Sequence, residues 1–440
     1  MIARIRPHRF SGTVRVPASK SHTIRRLLIA ALGEGVSRID YPLDSLDTRS
    51  CAAACRALGA AVIEHRAVDP LCPNPPDAAG ESLVRWEVRG GAEHALAGGP
   101  VLVDVGNSGT TLFLALAAAA LGTDPVRFDG DGQIRRRSAA PLLKALAALG
   151  IHTESEGGCA PITVRGPWKG GRVSVECPTS QYLSALLIAA PLAPRGTLTE
   201  LEVPLLNERP YVEMTLAYLD AQAVPCERAD DFSWFRIPGG AVYRPQNGPV
   251  PGDFSSAAFP AAAAAVSGGS LTLLGLENDD TQGDKAFFRV LEQMGCVVRR
   301  EASPSVLRVE RHGPLRGGEF DLNATPDMLP ACAVLAAFAR GDTALVNAAH
   351  ARIKETDRIA VMAAELGKLG VKVTELPDGL VIHGAGGIGG GAIDSRGDHR
   401  VAMAFAAAAL GAEGPVEIDG AQCAAVTYPG FLELLEADRI

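Results

Sequence analysis

Six times along the chain a polar signature opens an Ala/Leu-rich apolar stretch of helical length. A Gly turn, a β-branched strand, a second amphipathic helix ending near Gly, and a further strand then complete the unit. The openings are S-K-S-H-T at 19–23, N-S-G-T-T at 107–111, S-Q-Y-L-S at 180–184, D-F-S-S at 253–256, D-M-L-P at 327–330 and D-H-R-V at 398–401. They recur about every 73 residues, longer than the roughly 20–50-residue period of common solenoids. The first interval is longer by about 15, and its excess is the Pro-rich stretch 69–80, which reads as a strand-free surface insertion. The second helices are predicted at 48–58, 140–149, 211–220, 283–294, 355–369 and 431–438. Gly150, Gly295 and Gly370 supply left-handed C-caps, and strands follow at 297–299 and 371–374.

Six α/β units are too many for one compact core, so they group as three plus three. The N-terminal strand pair, within residues 2–16, has no helix of its own and is expected to join the domain that holds the C-terminus. The Gly/Pro-rich segment 246–252 marks the second crossing. Residues 1–18 with 251–440 then form one domain, and 19–250 an inserted second domain. Two crossovers imply a hinge, with an interdomain cleft as the place for a site.

With 47% apolar and 21% charged residues among 440, the chain can bury large cores. A net charge of -8 argues against nucleic-acid binding, which needs a basic footprint. The nine cysteines are odd in number and lack C-x-x-C, so a reducing compartment without disulfides is expected; Cys51 and Cys55 read as buried helix neighbours. The histidines show no metal-ligand spacing, so no metal is expected. No signal peptide opens the chain, and runs such as 112–121 fall short of the ~20 residues that span a bilayer. The expectation is a cytoplasmic protein with no membrane partner. Residues 384–389, G-A-G-G-I-G, match a dinucleotide fingerprint after a strand, but no helix start follows, so they read as a Gly-rich turn.

Charged residues concentrate in R-I-K-E-T-D-R at 352–358. Taken as a helix start, this places Lys354 and Arg358 on one face and Glu355 near the positive end of the macrodipole. A cation pair with an adjacent acid can bind an anion and move a proton; the competing reading is a solvated first turn. Similar residues gather at the first-helix starts: Lys20, Ser21 and Arg25; Asn107, Ser108 and Gly109; Thr179, Ser180 and Gln181; Asp327; and Asp398, His399 and Arg400. Ser, Thr, Asn and Asp there are ordinary N-caps. Basic residues at helix N-termini oppose the macrodipole and suggest an anion between them. With Arg135, Arg136 and Arg137 added, the pattern calls for one or two ligands carrying several negative charges.

Taken together, these residues resemble the enolpyruvyl transferases. The motifs appear in order from Val14 to Leu434: S-K-S-x-x-x-R at 19–25, G-N-S-G-T at 106–110, T-S-Q-Y at 179–182, R-P-Y at 209–211, G-D-F-S-S at 252–256, Q-G-D at 282–284, R-I-K-E-T-D-R at 352–358, D-H-R at 398–400 and Y-P-G-F near the end. The resemblance implies an inside-out α/β barrel type of fold, with two similar domains of three βαβαββ units each that close on a hinge. It is nearest to the branch that transfers the carboxyvinyl group of phosphoenolpyruvate to the 5-hydroxyl of shikimate 3-phosphate, releasing phosphate. That branch needs no metal or organic cofactor, and a monomer is expected.

By the same resemblance, Lys20, Arg137 and Gln181 surround the phosphoenolpyruvate phosphate, with Asn107 alongside and Gly109 allowing close backbone approach. Arg358 and Arg400 hold its carboxylate. Ser21, Arg25, Thr179, Ser180, Tyr211 and Lys354 hold the acceptor. Asp327 takes the hydroxyl proton, and Glu355 delivers one to the methylene carbon. A carboxyl beside cations ordinarily ionises, so an acid role for Glu355 needs desolvation on closure or a proton from elsewhere.

Four positions depart from the pattern: Val426 replaces a Lys, Phe113 an Arg, Glu208 a Ser near the acceptor phosphate, and His350 an Asn. Glu208 turns away, pairs with Arg209, or reports a different acceptor. An enolpyruvyl transferase with another hydroxyl acceptor is thus one alternative; its UDP-N-acetylglucosamine branch is opposed by the lack of a cysteine between Cys72 and Cys159. A non-catalytic homologue that binds anions is the other.

Overall fold

The computed structural model describes residues 1–91, 101–301 and 305–436. The chain divides into two compact units, Met1–Ser19 with Pro251–Ile440, and Lys20–Val250. Each is organised around three of the predicted first helices. In the Lys20–Val250 unit these are Lys20–Leu32, Gly109–Ala119 and Ser180–Ala189. In the other they are Phe254–Ser267, Leu329–Ala337 and His399–Ala409. Five of the six are buried on every side but for a single residue at most, because their sequences carry small and apolar residues all round rather than one apolar stripe. Within each unit the three pack on one another.

Among the described residues six sheets flank these helices, and five of them are built to one rule. A first strand lies parallel to a second, as a helical crossover requires; the second then pairs antiparallel with the last strand of the unit, and that strand with the one before it. Val101–Asp104, Val126–Asp129, Cys159–Arg165 and His152–Glu156 show the full pattern in this spatial order. Gly171–Ser174, Leu198–Glu202, Trp234–Pro238 and Glu227–Arg228 repeat it. So do the strands paired with Val36–Asp40, Ser270–Leu274 and Ala339–Val346.

Three predicted elements fall differently. The N-terminal strands are not a pair. Ile2–Ile5 runs antiparallel to Val416–Asp419 and completes the sixth sheet, whereas Gly12–Arg15 runs parallel to Ser270–Leu274 and opens the fourth. The crossing segment 246–252 is more than a linker, since its strand Asn247–Pro249 pairs with Arg38–Asp40 and opens the first sheet. The helix expected over 355–369 is Arg358–Lys368. Asp357 ends the approach by accepting from the Ala360 amide at 3.0 Å, which leaves Lys354 and Glu355 in the loop before the helix. They are therefore not an i, i+4 arrangement with Arg358. The last two positions of the 431–438 helix lie outside the described residues; Phe431–Glu436 is helical.

Stretch 69–80 has no strand, as expected, but one side chain pins it. Buried Asn74 accepts from the Asp44 amide at 2.9 Å and donates to the carbonyls of Pro42 at 2.7 Å and Leu83 at 2.8 Å. Residues 384–389 connect Gly379–Ala385 to Gly391–Asp394, both strands, so no phosphate-binding helix follows. Among the described residues no helix is long and apolar enough to cross a membrane, and no cluster of His, Cys, Asp or Glu could hold a metal ion.

Candidate active site

The predicted residues fall into two sets, one in each unit. In the unit that holds both termini, Asp327, Lys354, Glu355, Arg358 and Arg400 meet in a single ionic net. At its centre is Arg358, fully buried at the first turn of its helix. Its Nε donates to Asp398 Oδ2 at 2.9 Å and its Nη1 to Asp327 Oδ1 at 2.7 Å. Its Nη2 donates to Glu355 Oε2 and, at 3.3 Å, to Asp398 Oδ1. Arg400 Nη2 reaches Asp327 Oδ2 at 2.9 Å, and Lys354 Nζ stands 4.0 Å from Asp327 Oδ1. Three carboxylates therefore balance three cations.

Asp398 is the member that the sequence argument left as a helix cap. It does cap, accepting from the Arg400 amide at 2.9 Å, and it also takes Thr356 Oγ1 at 3.0 Å. Its pairing with a basic residue of the R-I-K-E-T-D-R stretch was the available signal, since D-H-R lies in the same ordered set of motifs. Arg352 and Asp357 pair with each other at 2.8 Å outside the net.

Burial works to raise the Asp327 pKa, but Arg400, Lys354 and Arg358 outweigh it, with Glu355 opposing them, and the carboxyl is held far below the usual range. Burial works to lower Arg358, yet Asp398, Glu355 and Asp327 hold its guanidinium above the ordinary value. Asp327 and Arg358 are thus both charged near neutral pH. Arg358 is already engaged by three acids, so a carboxylate ligand that reaches it competes with them.

Two other predicted motifs brace this unit rather than face a ligand. Gln282 Oε1 accepts from the Phe254 amide at 3.0 Å, while its Nε2 donates to Gly252 O and Asp280 Oδ2, both at 2.9 Å. Ser255 Oγ donates to Asp284. Q-G-D and G-D-F-S-S thus lock the start of the Phe254–Ser267 helix.

In the Lys20–Val250 unit, Arg137 lies across Gly109 at the start of its helix. A Cβ at Gly109 would stand 2.1 Å from Arg137 Nη1. The Arg137 guanidinium occupies the space that a side chain at this position would take. Lys20 Nζ pairs with Asp47 Oδ2 at 3.1 Å, a partner that sequence reasoning missed. Asn107 turns its amide to Asp131 Oδ2 at 2.5 Å and Gln133 Oε1 at 2.9 Å, tying the loop together. Gln181 Oε1 is buried with no hydrogen-bond partner among the described residues.

Arg25, 1% exposed, donates to Thr215 Oγ1 at 2.8 Å, Ser184 Oγ at 3.3 Å, and the carbonyls of Ser21 at 3.2 Å and Tyr211 at 3.1 Å. Burial pulls its pKa down to about 10, against Tyr218, Tyr211 and Glu208, so it stays charged at neutral pH. Glu208, 2% exposed, does not pair with Arg209, which binds Glu213 instead. Its Oε2 accepts from Thr179 Oγ1 at 3.1 Å, the Ser180 amide at 3.0 Å and Ser180 Oγ at 2.8 Å. The backbone there is left-handed, φ 58°, a conformation that costs a non-Gly residue roughly 1–2 kcal/mol.

The other departures are accommodated locally. Phe113 is buried edge-on to Tyr182, centroids 5.1 Å apart. His350 is buried, with Nε2 3.1 Å from the Asn323 carbonyl. Val426 ends a short 3-10 helix.

Comparison with known proteins gives one consistent answer. Residues 5–435 match the family described as EPSP synthase (3-phosphoshikimate 1-carboxyvinyltransferase). A protein of that name from Acetivibrio thermocellus is 45% identical over 440 residues, covering 99% of this chain and 97% of the relative. Another, from Methanothermobacter thermautotrophicus, is 40% identical over 425 residues, covering 96% of this chain and 94% of its own. The solved EPSP synthase of Acinetobacter baumannii superposes with a TM-score of 0.77 at 27% identity, covering 99% of this chain and 98% of that one.

Proposed function

This chain belongs to the EPSP synthase family, and from that premise we propose that it transfers the enolpyruvyl group of phosphoenolpyruvate to the 5-hydroxyl of shikimate 3-phosphate, releasing phosphate, in the shikimate pathway. Beyond the family, the reading is supported above all by the net around Arg358, where acids able to move protons stand among cations able to hold an anion.

The reaction adds a hydroxyl across a double bond and then expels phosphate. Addition needs a base at the hydroxyl and an acid that protonates the methylene carbon; in the elimination the resulting methyl gives a proton back to that acid, and the hydroxyl proton leaves the base with the phosphate. Asp327 is the base. Held ionised by three cations, it is a weak base alone. The anionic substrate screens those cations, so the base strengthens when phosphoenolpyruvate is bound. Glu355, in the loop before the Arg358 helix, is the acid. Arg400 and Arg358 clamp the substrate carboxylate as it takes over contacts that Asp327 now makes. Lys20, Arg137 and the Gln181 amide nitrogen hold the phosphate, which takes the place of Asp47 on Lys20. Arg25, Ser21, Thr179, Ser180, Tyr211 and Lys354 hold the acceptor. Both sets must act on the same two substrates, so the units are expected to close over them. A fall in radius of gyration on adding both ligands reports this, and an unchanged radius counts against it. The same reading has the chain act in the cytoplasm as a monomer without metal or organic cofactor.

The deciding experiment is phosphate release from phosphoenolpyruvate with purified protein and a panel of alcohols. Release with shikimate 3-phosphate is expected; release only with another alcohol would transfer the reading to a different acceptor. Gly109→Ala gives a second check. Its methyl pushes the Arg137 guanidinium aside, so the KM for phosphoenolpyruvate is expected to rise about tenfold, the equivalent of one displaced charged hydrogen bond. A KM within twofold of wild type would remove Arg137 from the phosphate site.

A further inference from the structure

We propose that the Glu208 carboxylate is a resident anion of the acceptor subsite, held on the donors that an acceptor's phosphate must take, and that it sets the affinity and selectivity of that subsite. This rests on the acceptor assignment above. Three donors converge on one oxygen of Glu208: Thr179 Oγ1, the Ser180 amide and Ser180 Oγ. They form the N-terminus of the Ser180–Ala189 helix, where a negative charge is favoured. The nearby Arg25 guanidinium is buried and, among the described residues, its hydrogen bonds go to neutral oxygens, so it adds positive charge beside Glu208. An anion belongs here, and the chain supplies its own.

A phosphate dianion cannot share those donors with a carboxylate, because like charges a few ångströms apart repel strongly in a buried setting. Binding therefore requires Glu208 to leave. The consequence is an acceptor subsite weakened by an internal competitor and closed to weakly charged acceptors.

The test compares Glu208→Ser and Glu208→Gln with wild type. Thermal melting establishes that each is folded; should the serine variant fail, the glutamine variant carries the test, since its amide oxygen still accepts from Ser180. Calorimetry with shikimate 3-phosphate alone is expected to show binding tightened about tenfold, which corresponds to 1.4 kcal/mol. The KM for phosphoenolpyruvate should not move, a split that general loosening would not produce. Equal or weaker binding in the folded variants overturns the proposal. Inorganic phosphate separates this from failure of the acceptor assignment. It should raise the melting temperature of the variants more than that of wild type even if shikimate 3-phosphate binds none of them; equal shifts with phosphate overturn the proposal.

Discussion

Glu355→Gln is expected to lower kcat by roughly 10²–10⁴-fold, the usual contribution of a positioned acid or base, while shikimate 3-phosphate binding stays within a few fold. The side chain lies in the loop ahead of the Arg358 helix and accepts from Arg358 Nη2. Glutamine keeps an oxygen for that bond and the same length, so the ionic net loses one charge but not its geometry. What it cannot do is give up and recover a proton at the methylene carbon. Steady-state kinetics with calorimetric binding of the acceptor measures both quantities. Turnover near wild type would remove Glu355 as the proton donor; loss of acceptor binding in proportion to kcat would make it a scaffold residue.

The second large effect is on stability. Arg358→Met removes a fully buried cation from among Asp327, Glu355 and Asp398. Removing one partner of a buried ionic group costs about 3–5 kcal/mol, because the carboxylates left behind are uncompensated. Asp398 is itself fully buried and loses the Nε and Nη2 donors together. For a unit of this size the melting temperature is expected to fall on the order of 10 °C. Arg358→Lys recovers only part of this, since one ammonium cannot serve three carboxylates as a planar fork does. Replacing Arg172, whose pairing with Glu202 is exposed, sets the baseline, because solvent screens a surface pair and little stability rests on it. An Arg358→Met melting temperature as close to wild type as that control would mean the net does not hold this unit together.

The Arg358 net also shows how far the residues alone could lead. The R-I-K-E-T-D-R stretch was legible as a concentration of charge with an acid able to move a proton. Its geometry was not. The charged residues ahead of the apolar period 359–369 do not mark where the helix begins; the Asp357 side chain, folding onto the Ala360 amide, caps it at Arg358. Local pattern cannot choose between a residue inside a helix and one capping it when both are charged. Asp398 was visible as a cap, but its second task depends on a residue forty positions earlier.

What the sequence by itself determined was the repeat. Largely buried Ala- and Leu-rich helices, most of them opened by a cap, need a shell of strands around them, and six of them require two cores. Those are local features, carried by composition and period. Tertiary structure alone decided the pairings between distant segments. Ile2–Ile5 and Gly12–Arg15 go to different sheets, Asn247–Pro249 returns to the first, and Lys20 meets Asp47. It also decided Glu208, for which the residues left three outcomes open. A strand carries no label for its hydrogen-bond partner, and a carboxylate none for the donors it will find. Both are fixed only when chain closure brings separated backbone and side-chain groups within hydrogen-bonding distance, where burial makes leaving them unpaired too costly.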